Sequence, residues 1–168
     1  MHAGDVKPGT PPPLEETVES LFDAIVTKPA TLSVDATLRD AVEAILRSEV
    51  TRKAYVVDGR GVLKGTITVE TLMRHVANRM GARPVGLISW FRFLRDMGSD
   101  RATDFMANPV VVRLDTPIVE IVRRVVEEHL NDFPVVDDRG AFTGEVNTLN
   151  LLRATKGVFD TPPSDPSG

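Results

Sequence analysis

The sequence predicts an α+β fold of two β-α-β-β-α repeats, packed with pseudo-twofold symmetry and accompanied by an N-terminal helix and an inter-repeat helix. Three observations carry this. One pattern of residues occurs twice, offset by 80 positions early (Pro29 to Pro109) and 79 late (Gly65 to Gly144). Within each copy, short β-rich runs alternate with apolar stripes at helical spacing. The composition is 168 residues with 42% hydrophobic content and no cysteine. That suits one aliphatic domain, or two small halves sharing a core, with no disulfide framework or thiol chemistry.

Along the chain, residues 1–13 carry four prolines and no apolar run, so a flexible tail without a signal peptide is expected. Leu14 to Val26 has apolar residues at 14, 18, 21, 22 and 25, the spacing of a helix. In the first repeat Lys28 to Asp35 reads as a strand opened by Pro29, and Asn108 to Asp115 is its counterpart. Helical stripes follow at 38, 41, 42, 45, 46 and at 118, 121, 122, 125, 126. Tyr55-Val56-Val57-Asp58-Gly59-Arg60-Gly61 and Pro134-Val135-Val136-Asp137-Asp138-Arg139-Gly140 each read as a buried strand running into a tight turn. Gly65-Thr66-Ile67-Thr68 and Gly144-Glu145-Val146-Asn147 each lead into a Leu-rich helix. The expected organisation is a tail at 1–13, the N-terminal helix and first repeat at 14–80, an inter-repeat helical segment at 81–101, the second repeat at 102–156, and a tail at 157–168.

Several function classes lose ground on composition. The formal charge of -4 gives no global attraction to nucleic acid or to an anionic membrane. Three scattered histidines suggest no metal cluster. There is no Walker A loop, GxGxxG, GxSxG or HExxH. Asp35 and Asp115 are explained as caps of helix starts, and Glu127-Glu128-His129 as a helix end. No catalysis, no metal and no required cofactor are expected. Apolar runs fall far short of a membrane span.

The stretches Thr27-Lys28-Pro29, Val56-Val57-Asp58-Gly59-Arg60-Gly61 and Gly65-Thr66-Ile67-Thr68, with their second-repeat counterparts, resemble the CBS domain. Two in tandem resemble a CBS pair, or Bateman module, over Leu14 to Thr155. The resemblance implies a regulatory, cytoplasmic module, often a flat dimeric disc, that binds AMP, ADP, ATP or S-adenosylmethionine in clefts and signals to an enzyme or channel. Such an effector is expected on a separate chain. A homodimer is expected, with an adenine nucleotide or S-adenosylmethionine as the possible bound ligand.

The resemblance also implies where that ligand would sit. In the family a Ser or Thr opens the last helix and an Asp follows three residues later, suiting a phosphate and a ribose diol respectively. Here the first repeat has Thr68 and Thr71, and the second has Asn147 and Asn150. Neither repeat has the full pair, and Thr and Asn are ordinary helix caps. Basic residues often precede the second strand. Arg52 and Lys53 stand there in the first repeat, against Asn131 and Asp132 in the second. An anion is favoured by the former and repelled by the latter. The Thr68 end is therefore the expected phosphate site, with the Asn147 end empty or taking a less charged ligand. The purine would lie on Ala30, Leu32, Val56 and Ile67, or on Val110, Val112, Val135 and Val146. Each of these also reads as plain core.

The segment Arg74 to Arg101 holds Trp90, Phe91 and Phe93, and six arginines against two aspartates, a net of +4. Its apolar residues cover more than half a helix circumference. Packing on its own domain and a dimer contact through Leu87, Trp90, Phe91 and Leu94 is one expectation. A docking helix for a partner chain is the other. The alternative to ligand sensing is thus a ligand-free interaction protein working through dimerisation and this helix.

Overall fold

The computed structural model describes residues 16–48, 52–81 and 86–156. The tails expected at 1–13 and 157–168 lie outside the described residues, as do Leu14 and the side chain of Leu87. In chain order the elements are α1 (Phe22–Ile25), β1 (Val26–Thr27), β2 (Thr31–Ser33), α2 (Leu38–Arg47), β3 (Lys53–Val57), β4 (Leu63–Thr68), α3 (Val69–Met80), α4 (Leu87–Met97), a 3-10 turn (Ala102–Asp104), β5 (Val112–Arg113), α5 (Ile118–Glu128), β6 (Asp132–Val136), β7 (Phe142–Asn147) and α6 (Thr148–Thr155). Both β-α-β-β-α repeats are present. The described chain divides into two compact units, one of residues 28–111 with 136–143, the other of residues up to 27 with 112–135 and from 144 onward.

In the first unit β3 lies between β2, parallel to it, and β4, antiparallel to it. Leu38, Ala41 and Ile45 of α2 meet Val56, Ile67, Leu72 and Val76 in its core. Both repeats turn their hairpins in the same way. The Asp58 carboxylate accepts the N–H groups of Arg60 and Val62 at 2.9 and 3.0 Å. Asp137 accepts those of Arg139 and Ala141 at 2.9 and 2.8 Å. Gly61 and Gly140 close the turns at φ of 79° and 78°, a conformation strained for residues with a Cβ. This is the physical content of the shared Asp-x-Arg-Gly signature: an acceptor that ties the turn, then a residue free to take left-handed backbone.

The second unit is a four-stranded sheet in the order β1-β7-β6-β5. Its core joins Val18, Leu21 and Ile25 to Val112, Ile118, Ile121, Phe133, Val135, Val146 and Leu151. The Arg124 guanidinium lies 5.3 Å from the centre of the Phe133 ring.

The two repeats exchange their leading segments. The segment before the first repeat joins the second unit, where Val26 and Thr27 pair with Val146 and Glu145. The segment before the second repeat joins the first unit, where Thr66 and Ala107 exchange two backbone bonds of 2.9 Å. Each crossing passes over a glycine. A Cβ on Gly144 would stand 2.4 Å from Val26 Cγ1 and 2.7 Å from the Thr27 carbonyl oxygen, and one on Gly65 would stand 2.3 Å from Met106 Sδ. The repeated Gly is thus a place where the crossing segment leaves no room for a side chain, against backbone at Gly144 and against the Met106 side chain at Gly65.

The same exchange caps the helices. An α-helix leaves its first four N–H groups without partners of its own. In α2 all four are satisfied. Thr37 and Asp40 form a reciprocal capping box. The N–H groups of Leu38 and Arg39 donate to the carbonyls of Asp100 and Gly98, at 2.8 and 3.2 Å. In the second unit, Ile118 at the start of α5 donates to the Glu16 carbonyl at 2.8 Å.

Two features depart from expectation, the first of them through this exchange. The helix anticipated over 14–26 forms as one turn, α1. Before it, the N–H groups of Val18 and Glu19 donate to the Thr116 and Leu114 carbonyls instead of continuing a helix. The helical stripes are wider than the cores they serve. Leu46, Val122 and Val126 face outward, at 79%, 49% and 69% exposure.

Candidate functional site

Helix α3 begins at Thr68, at the end of β4. The Thr68 hydroxyl accepts the Thr71 N–H at 3.1 Å, and the Thr71 hydroxyl accepts the Thr68 N–H at 2.8 Å. The Thr71 hydroxyl also donates to the Thr68 carbonyl at 2.9 Å. Thr71, where the family pattern has Asp, is thus a buried partner in the cap. Two N–H groups of the first turn, those of Val69 and Glu70, have no partner inside the helix by geometry. The antiparallel register places Lys53 directly across from Thr68. A cationic side chain, a hydroxyl and the positive end of a twelve-residue helix therefore meet at one edge of the first unit. Arg52 is exposed immediately before Lys53.

The corresponding place in the second unit has the opposite electrostatics. The Asn147 side chain accepts the Leu149 N–H through its oxygen at 2.8 Å. Through its nitrogen it donates to the Asp132 carboxylate at 2.6 Å. Asp132 occupies the repeat position of Lys53, so a negative charge stands where the first unit has a positive one. Asn150, in the second unit's Asp position, accepts from Arg153 at 3.0 Å.

The apolar candidates divide by exposure. Val56 and Ile67 are fully buried in the first core, while Leu32 packs at its edge and Ala30 is half-buried. The Ala30 carbonyl accepts the Tyr55 N–H at 3.0 Å. Val112, Val135 and Val146 are buried in the second core, and Val110 is exposed. A solvent-open depression lined by Arg60, Val62, Lys64, Asp137, Arg139 and Ala141 lies at the hairpin turns, at the opposite end of β4 from Thr68.

Helix α4 is used mainly from within. Trp90, Phe93, Leu94 and Met97 pack on the first core, and Met97 is fully buried. Phe91 is left outward at 63% exposure. The chain leaving α4 is fastened to α3, since His75 Nε2 and Asp100 Oδ2 are 2.8 Å apart and the His75 ring rests on Phe105. Sequence reasoning missed this fastening. Six arginines drew attention to the segment's charge. Beside the apolar contacts, the anchoring groups are the His75–Asp100 pair, the Arg101–Asp35 ion pair and the backbone carbonyls of Gly98 and Asp100.

Two carboxylates are held below the usual carboxylate range, both by turn chemistry. The Thr37 backbone N–H and hydroxyl hold Asp40, and the Arg60 N–H holds Asp58. Among the described residues no group of His, Asp or Glu side chains is placed to hold a metal ion. No helix among them is long and apolar enough to cross a membrane.

The fold and its paired helix starts define a tandem-repeat α+β module in which a lysine stands beside one helix start and an aspartate beside the other. The CBS domain family model matches residues 18–78 and 102–157, well over half of the chain, and the chain belongs to that family as a CBS pair. Solved structures agree. A CBS domain-containing protein from Thermotoga maritima is 25% identical with a TM-score of 0.64, over 89% of this chain and 99% of that one. The CBS-pair protein CBSX2 from Arabidopsis thaliana is 21% identical with a TM-score of 0.67, over 87% and 98%. The cytosolic domain of the Mg2+ channel MgtE, solved with ATP, is 24% identical with a TM-score of 0.56, over 77% of this chain and 46% of that one. CBSX2 has also been solved with AMP, at 22% identity and a TM-score of 0.63, over 85% and 98%. No curated protein matches the sequence significantly.

Proposed function

We propose that this CBS pair is a non-catalytic regulatory module that binds a phosphate-bearing adenosyl ligand, AMP, ADP or ATP, at the Thr68 end of its first repeat and signals to a separate partner protein. One observation carries the choice of end. Lys53 stands across the ladder from Thr68 at the start of α3, whereas Asp132 and Asn147 are bonded together at the matching place. A phosphate is attracted by the first arrangement and repelled by the second. The complexes of CBSX2 with AMP and of the MgtE domain with ATP support the ligand class. Ala30, Leu32 and Val110 are the purine candidates with exposed surface. Val56, Ile67, Val112, Val135 and Val146 would act from beneath, as the floor. S-adenosylmethionine, whose sulfonium is cationic, suits the Asp132 end better than the Lys53 end. A ligand shifts such a module only through different affinities for two conformations. The signal would therefore be a change of packing, read by the partner in a cytoplasmic setting.

A thermal-shift panel with AMP, ADP, ATP, S-adenosylmethionine and NADH tests this. A ligand at 100 times its dissociation constant stabilises by about 2.7 kcal/mol, a clear upward shift. Flat curves with all five would end the sensing account. A second reading then takes its place, a ligand-free interaction module. It is favoured by one observation: Thr71 is buried in the cap, where a ribose-binding carboxylate would otherwise stand.

A further inference from the structure

The two hairpin turns carry charges that the fold does not use. In Asp58-Gly59-Arg60-Gly61 and Asp137-Asp138-Arg139-Gly140 the turn needs the aspartate as acceptor and the last glycine for its left-handed backbone. From the third residue it takes only the N–H, at 2.9 Å in both copies. Any residue but proline supplies that group. Both copies nonetheless place arginine there. Both arginines are exposed, and neither guanidinium has an ion-pair or hydrogen-bond partner among the described residues. Exposed arginines on the helices are answered differently: Arg47, Arg74 and Arg123 each pair with a glutamate one turn away.

The turns are also bound to each other. The Leu63 N–H donates to the Gly140 carbonyl at 3.1 Å, and the Phe142 N–H donates to the Gly61 carbonyl at 3.0 Å. Arg60 and Arg139 therefore rise from one rigid base and line one depression of about 490 Å³, with Lys64 as a third cation and Asp137 as the one acid. The Lys64 ammonium is engaged by Asp58 at 3.2 Å. The Asp137 carboxylate already accepts two N–H groups, which offset part of its charge. The surplus positive charge is thus that of the two guanidiniums. Each is a planar fork that matches a phosphate, and two of them on equivalent turns match a ligand with two anionic groups. We propose that the paired hairpin turns form a second anion site, which takes a diphosphate group between Arg60 and Arg139. The strand β4 separates it from Thr68 by about 17 Å, at roughly 3.3 Å per residue. It is therefore distinct from the nucleotide site proposed above and does not depend on it.

Calorimetric titration of sodium pyrophosphate into the full chain tests it. The wild type and Lys53→Glu, which removes the attraction at the Thr68 end, should both bind, more weakly as salt is added. Arg60→Gln and Arg139→Gln should each weaken this site on the order of tenfold, and Lys64→Gln less. The double substitution should remove one pyrophosphate site from the wild type and leave none in Lys53→Glu. Melting curves without pyrophosphate should stay unchanged, because neither guanidinium has a partner to lose. A wild-type chain that binds no pyrophosphate, or one whose stoichiometry and affinity survive the double substitution, overturns the proposal. Citrate binding as tightly as pyrophosphate overturns the assignment to a diphosphate.

Discussion

The starts of α3 and α6 occupy the same place in two copies of one design, yet they are built with opposite charge. At α3 a lysine stands across the sheet from a threonine that shares a capping box with another threonine. At α6 an asparagine caps the helix and binds an aspartate at 2.6 Å. Both arrangements satisfy the helix, so capping alone does not explain the difference. It teaches that the fold needs a polar cap here and leaves the sign of the neighbouring charge open. That free choice is where a ligand preference can be written.

Three experiments press on the account of the two repeats, beginning with the largest effect. The segment crossings should differ in tolerance. Gly144→Ala drives a methyl into the Thr27 carbonyl and Val26, whereas Gly65→Ala meets the flexible Met106 side chain. Gly144→Ala is expected to cost about 3 kcal/mol in urea unfolding and Gly65→Ala about 1 kcal/mol. Equal costs would show that the crossings are not held as described.

Next are the caps. Thr68→Ala and Asn147→Ala should each cost about 1 kcal/mol of stability. Thr68→Ala should also weaken nucleotide binding, and Asn147→Ala should leave it intact. If both variants bind nucleotide alike, the asymmetry has no bearing on the ligand.

Acid stability gives the smallest expected effect. Asp58 is held ionised in the folded turn, below the usual carboxylate range, by the Arg60 N–H. The unfolded chain therefore takes up the proton first. The stabilisation is present above about pH 4 and is lost as the pH falls through the lowered folded value. Asp58→Asn should lower stability at neutral pH and flatten part of the decline on the acid side, followed by thermal melts across pH. An unchanged acid limb would remove Asp58 from the account of the turn.

Local chemistry was readable in the sequence, and long-range exchange was not. The hairpin turns were legible because Asp58, Gly61 and their counterparts act within four residues of one another. The start of α3 was legible for the same reason. The crossing of β1 onto β7 leaves no mark at positions 26 and 27, since its requirement falls on Gly144, over a hundred residues away. The N-terminal helix failed because backbone bonds to Leu114 and Thr116 outweighed a helical apolar spacing. The stripe on α5 was legible as a stripe, but Val122 and Val126 could not be told from core until the sheet beneath was in place. For α4, the excess of apolar surface was legible, and the face it covers became clear only with Met97 and Trp90 set against the first core.

The sharpest test of the central claim is calorimetric titration of ATP into the wild-type chain, Lys53→Glu and Asp132→Asn side by side. Binding to the wild type, weakened roughly tenfold or more by Lys53→Glu and held or strengthened by Asp132→Asn, is the predicted result. Absence of ATP binding, or an affinity that Lys53→Glu leaves unchanged, would contradict a phosphate site at the start of α3.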